Sequence, residues 1–213
     1  MKNKISINEH SSIRIGEDYV IYFDPFKIKG EPKDADLIFI THSHYDHMSE
    51  EDIKKVLNDF TFIAVPESCL QDAKKLGKKL GFGEDRIAWF KPGDKAEIDE
   101  VIVEAVPAYN VGKQFHPKEN NWLGYVVEID GERIYIAGDT DVTPEAGAVK
   151  CDVALLPCGG TYTMTASDAA KLANTIKPAV AIPTHYGSIV GEKSDGETFR
   201  NLVDSDIKVE ILI

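Results

Sequence analysis

The sequence predicts an α+β fold in which short strands outnumber helices, on three observations. Short apolar or alternating runs recur along the whole chain. Between some of them lie amphipathic stretches with cap residues at helical spacing. Asp130-Gly131 sits between two strand patterns, and its residues tolerate the positive φ of a tight hairpin.

Strands are expected at residues 12–15, 19–23, 37–41, 61–65 and 86–90, and again at 101–106, 123–129, 133–137, 153–157, 180–183 and 208–213. Ser49, with Asp52 three residues on, reads as a capping box. Ile53, Val56, Leu57 and Phe60 then fall on one helical face. A second helix follows Pro66 and stops at Gly81. Thr165 or Ser167 caps a third, which runs through Ile176 until Pro178 ends it. A short last one spans 195–204, with Phe199, Leu202 and Val203 inward. No linker or low-complexity tract interrupts the chain. The expectation is one domain, 1–213, with two β-rich halves that meet near residue 110 and share no sequence repeat.

With 36 acidic against 24 basic residues the net charge is -12, which provides no basic stripe for nucleic acid. An acidic surface also repels anionic substrates unless cations at the site reverse the local field. The first residues, MKNKISINEH, hold no signal-like apolar run, and no apolar stretch approaches the ~20 residues of a membrane span. Cys69, Cys151 and Cys158 are irregularly spaced and imply no disulfide framework. A cytoplasmic protein acting on a small molecule is expected, with a homo-oligomer left open.

The chemistry concentrates in Thr41-His42-Ser43-His44-Tyr45-Asp46-His47, which holds three of the six histidines. It follows the apolar run 37–40. Alternation along an extended chain lets His42, His44 and Asp46 share one side while His47 points elsewhere. Two of these residues can then grip one ion as the others approach a second. Imidazole and carboxylate suit zinc and other first-row divalent metals. Two further strands end in donors: Gly138-Asp139-Thr140, where Asp139 has two oxygens to bridge two ions, and Pro183-Thr184-His185.

THSHYDH, GDTD and PTHYG resemble the metal motifs of the metallo-β-lactamase fold superfamily. Glu9-His10-Ser11-Ser12 with Asp24-Pro25, and Trp122-Leu123-Gly124-Tyr125, resemble its ascorbate-6-phosphate lactonase-like branch. The resemblance implies a four-layer αββα sandwich of two mixed sheets flanked by helices. It assigns His42 and His44 to one metal, Asp46, His47 and His185 to the other, and Asp139 as the bridge. The family has one more histidine on the first metal, after the mid-chain strand, where this chain has Asn110. Three alternatives stand: His116 reaches in from the adjacent loop, Asn110 ligates weakly, or the ion has one ligand fewer. His116 is favoured because imidazole is the better ligand.

Weaker features remain open. His10 and Asp24 either orient ligands through hydrogen bonds, or are a surface histidine and a turn residue. Lys113, His116 and Lys118 either bind a substrate anion or form a solvated loop. The stretch 159–164 either holds an anion or is a plain connection, with Tyr162 and Met164 candidates to line the substrate pocket beside Trp122 and Tyr109. Cys158 either binds metal or packs.

The expected function is a binuclear hydrolase. A hydroxide held by two divalent ions (zinc, manganese or nickel, with iron an option) would cleave a small anionic ester, lactone or phosphodiester. Asp46 and His185 are the catalytic candidates. The alternatives are a di-iron redox enzyme and a non-catalytic metal-binding or sensor protein.

Overall fold

The computed structural model describes residues 2–213. They form two compact units, Lys4–Lys91 and residues 2–3 with Pro92–Ile213. The α+β expectation holds, because each unit is built on one mixed sheet with helices in its crossovers.

The first unit has six strands in spatial order: β1 (Ile5–Glu9), β2 (Ser12–Ile15), β3 (Ile21–Phe23), β4 (Leu37–Phe39), β5 (Phe62–Pro66) and β6 (Ile87–Phe90). The pairs from β1 to β3 are antiparallel and those from β3 to β6 parallel. Parallel neighbours need crossovers: α1 (Glu50–Val56) lies in that from β4 to β5 and α2 (Leu70–Leu80) in that from β5 to β6, while a loop joins β3 to β4. β3 and β4 are buried throughout, and Phe23 stacks on Phe39 with centroids 4.9 Å apart. Ser49 caps α1 as expected: its Oγ accepts from Asp52 N and donates to the Asp52 carboxylate. Leu57 leaves the helix, so Phe60, expected inward, is instead 82% exposed. α2 ends on Gly81 at φ 84°, a left-handed cap that glycine adopts without strain.

The second unit has seven strands: β7 (Lys95–Ile98), β8 (Val101–Pro107), β9 (Leu123–Ile129), β10 (Glu132–Ile136), β11 (Val153–Pro157), β12 (Val180–Thr184) and β13 (Lys208–Val209). Pairing is antiparallel from β7 to β10 and parallel from β10 to β13. The crossovers carry α3 (Pro144–Gly147), α4 (Ala166–Ile176) and α5 (Asp195–Leu202). Thr165, not Ser167, caps α4. The core gathers Tyr135, Leu156, Met164, Leu172, Tyr186 and Phe199. Leu202, expected inward, is half exposed because α5 stops there.

Both units repeat one plan, antiparallel strands followed by parallel ones. Chain leaving the carboxyl ends of parallel strands carries most of the candidate donors: Asp24 after β3, His42 after β4, Asp139 after β10 and His185 after β12. The three cysteines are free. Among the described residues, no helix is long and apolar enough to cross a membrane.

One core group is out of balance. The Tyr135 hydroxyl is buried and has no hydrogen-bond partner among the described residues, and burial pushes its pKa up. A buried, unsatisfied hydroxyl costs free energy that its removal returns. Tyr135→Phe is expected to raise stability by about 1 kcal/mol. Urea denaturation checks this: the midpoint should rise at an unchanged slope.

Candidate metal centre

In the first unit the donors hang from a buried carboxylate. Asp24 leaves β3 at φ 46° and is 1% exposed. Its Oδ1 accepts from the Thr41 backbone N–H at 2.8 Å, and its Oδ2 accepts from the Thr41 hydroxyl at 2.6 Å. The same Oδ2 is 2.7 Å from His47 Nδ1. The Thr41 hydroxyl lies 3.0 Å from His42 Nδ1. The Thr41 proton goes to Asp24, so the hydroxyl oxygen is left to accept from His42 Nδ1–H. One carboxylate thus orients two imidazoles, His47 directly and His42 through Thr41. Burial raises the Asp24 pKa, against the pull of His47 and Thr41.

The turn beyond is closed by His47 N and Met48 N, which donate to His44 O at 3.0 and 2.8 Å. It brings His42 Nε2 within 3.0 Å of His44 Nδ1, two imidazole nitrogens converging on one point. The Asp46 carboxylate, 8% exposed, lies 3.6 Å from His10 Nε2 and 3.7 Å from His47 Nε2. His10 is fully buried at φ 57°, in contact with a candidate ligand rather than on the surface.

In the second unit the centre is Asp139, 4% exposed. Its Oδ2 is 3.1 Å from His185 Nε2 and 3.2 Å from His116 Nε2. His185 follows β12 at φ 58°. The segment after β11 passes so close beneath it that a Cβ on Gly159 would lie 2.1 Å from His185 O, so only glycine fits. Non-glycine residues with positive φ cost of order 1–3 kcal/mol each, and such strain gathers at functional sites. Four of them here are His10, Asp24, His116 and His185.

The structure sorts the remaining candidates. Asn110 lies beside His116, with Nδ2 3.3 Å from its Nδ1. Lys113 is tied to Asp141 and to Thr163 O, and Lys118 to Glu145 and Tyr109. Both ammoniums are therefore engaged within the protein. Tyr162 is half-buried and packs edge-on against Phe115, 4.8 Å between centroids. Met164 corrects the expectation of a pocket wall: it is 0% exposed and belongs to the core. Cys158 is buried too, and burial pushes its thiol up to about 12, so it packs rather than binds as thiolate. Sequence reasoning missed Thr41. Its only signal was a hydroxyl directly before His42.

The donors are nitrogen and carboxylate oxygen, buried except for the half-buried His44, convergent within each unit and in part backed by hydrogen bonds on the far ring nitrogen. Such a set fits divalent first-row metals.

Comparison with known proteins agrees. The pattern described as the beta-lactamase superfamily domain matches residues 16–186. The UPF0173 metal-dependent hydrolase of Pyrococcus abyssi is 30% identical over 98% of this chain and 96% of its own length. A crystal structure of a metal-dependent hydrolase from Parabacteroides distasonis is 35% identical, with a TM-score of 0.79 over 98% of this chain and 92% of that one. The metallo hydrolase Igni18 of Ignicoccus hospitalis, at 23% identity and a TM-score of 0.75, shares the fold over 98% of this chain and 94% of its own.

The Asp24 network generates a prediction. Asp24→Asn keeps the shape but removes the charge that holds both imidazoles. Zinc affinity, measured by competition with a chelating dye, is expected to fall ~10–100-fold. Unchanged affinity would remove the orienting role.

Proposed function

The chain belongs to the beta-lactamase superfamily, and from that premise we propose a hydrolase that uses two divalent metal ions to cleave a small ester, lactone or phosphodiester. The observation that carries the reading is the convergence of His42 Nε2 and His44 Nδ1 to 3.0 Å. Two imidazole nitrogens brought together beside a buried Asp24–His47 pair suit a shared cation. On this reading His42, His44, Asp46 and His47 are ligands from the first unit, and Asp139 and His185 are ligands from the second, with Asp139 as the bridge. Motif order and family membership support that pairing.

When bound, two such ions lower the pKa of a water molecule and polarise the oxygen of the group under attack. The protein residues do the rest. Asp24 and Thr41 keep His42 and His47 in one tautomer. Asp46, a partly open carboxylate, orients the attacking water and takes its proton. His185 assists the departing oxygen. A cavity of about 490 Å³ in the first unit supports a small substrate; Phe26, Tyr45 and Met48 line it, beside charged Lys27, Glu50 and Glu51. Tyr45 is 68% exposed between His44 and Asp46, where a bound molecule would cover it. Zinc, manganese or nickel suits this chemistry.

The test is metal analysis of chelator-free protein, followed by a hydrolysis screen on the same sample with a lactone, a nitrophenyl ester and a bis-nitrophenyl phosphate. Two ions per chain and activity that chelation removes and metal restores are expected. Asp139→Ala should abolish tight uptake of the pair, a larger loss than the ~10–100-fold typical of a supporting contact. If that variant keeps both ions and full activity, the bridge is elsewhere. Tightly held iron with oxygen consumption would favour redox chemistry, and loading without any hydrolysis a metal-binding sensor.

A further inference from the structure

We propose that Phe115, packed on Tyr162 and flanked by Val111 and Val142, is the specificity-determining side chain of an apolar rim beside Asp139. The substrate it selects is a neutral ester or lactone whose non-reacting part is an alkyl chain or a single ring. This deepens the hydrolase reading and rests on it. All the residues involved lie in the second unit.

Charge comes first. Lys113 and Lys118 are the cations that a substrate anion would meet on this loop. Lys113 Nζ donates to the Asp141 carboxylate and, at 2.6 Å, to Thr163 O. Lys118 Nζ donates to Glu145 at 2.9 Å and lies 4.5 Å from the centre of the Tyr109 ring. A cation already facing a carboxylate offers an incoming anion little net field. The chain as a whole carries a net charge of -12, which adds no attraction. A phosphodiester would bring a charge that this loop does not answer.

What the loop does turn outward is apolar. Phe115 is 45% exposed, Val111 and Val142 are exposed as well, and Tyr162 is half-buried. The Phe115 ring meets Tyr162 edge-on at 85°, an arrangement that holds both rings in place. Single exposed apolar residues are ordinary, whereas a gathered patch marks a binding surface. These four sit on three segments laced together by hydrogen bonds. Val111 N donates to Asp141 Oδ2 at 2.9 Å, Asn110 Nδ2 to Tyr162 O at 2.7 Å, and Met164 N to Thr140 O at 3.2 Å. Asn110 N closes the loop on His116 O at 2.8 Å. A surface fixed in advance loses little freedom when a molecule covers it.

Position ties the patch to the chemistry. Phe115 directly precedes His116, whose Nε2 is 3.2 Å from Asp139 Oδ2. The Asn110 amide that holds Tyr162 O lies 3.3 Å from His116 Nδ1. The rim thus begins one residue from the donors, within reach of a group attached to the bond being cleaved.

The experiment uses zinc-loaded protein and two series of growing apolar length: ethyl acetate, butyrate and hexanoate, and γ-butyrolactone with its ethyl- and butyl-substituted forms. In the parent, kcat/KM should rise roughly fourfold per added methylene, the worth of burying one CH2. In Phe115→Ser the rise should drop below about twofold per methylene, while Phe115→Leu, still apolar, should keep most of it. Calorimetry gives a second readout: the parent should bind hexanoate more tightly than acetate, and Phe115→Ser should lose that difference. Zinc per chain and circular dichroism check each variant. Should Phe115→Ser lose zinc, Tyr162→Ser, which leaves the Tyr162 carbonyl in place, carries the same test. A flat series in the parent, or an equal slope in parent and serine variant, would overturn the rim and leave the hydrolase reading intact. So would a parent that cleaves bis-nitrophenyl phosphate and none of the esters or lactones. Loaded protein that cleaves nothing would overturn the hydrolase reading and this inference with it.

Discussion

The Asp24 carboxylate is the constraint on which the first unit's chemistry depends. It is buried, which makes its charge costly, and it is paired with His47 and Thr41, which makes that charge tolerable. It bonds one histidine, His47, directly and reaches a second, His42, through the Thr41 hydroxyl, so a single group orients both. The stack of Phe23 on Phe39 beneath holds β3 and β4 in the register that places Asp24 beside Thr41. Packing of the sheet, orientation of the carboxylate and presentation of the donors are successive links of one chain.

The second unit reaches a similar end by other means. Asp139 is positioned by a strand end and a glycine, and its histidine neighbours by left-handed backbone and close packing. Strain at His116 and His185 is sustained because the surroundings leave these residues no alternative: a backbone bond from Asn110 for one, the snug passage of Gly159 for the other.

Much of this was legible in the sequence, for physical reasons. The HSHYDH turn stood out because three histidines in six residues are rare in a chain with six. Strands with two buried faces announced themselves as apolar runs, and β2, β9 and β11 lie where the pattern put them. β1 and β7 did not, since Ile5–Glu9 and Lys95–Ile98 are edge strands with polar, largely exposed residues. α3 is too short to show a period. Phe60 and Leu202 misled because apolar spacing continues past the point where each helix stops. Asp24 was ambiguous beside Pro25, since only tertiary structure brings it to Thr41. Met164 looked like a wall residue by its place before a helix, while burial decides otherwise.

Most of the reactive groups follow strands whose ladders are already complete. Residues past a strand's last rung carry little of the sheet's cohesion, so they are free to vary without unravelling it. A lineage built on such a frame can explore new substrates by rewriting a few connecting segments. The scaffold is inherited; the chemistry is editable.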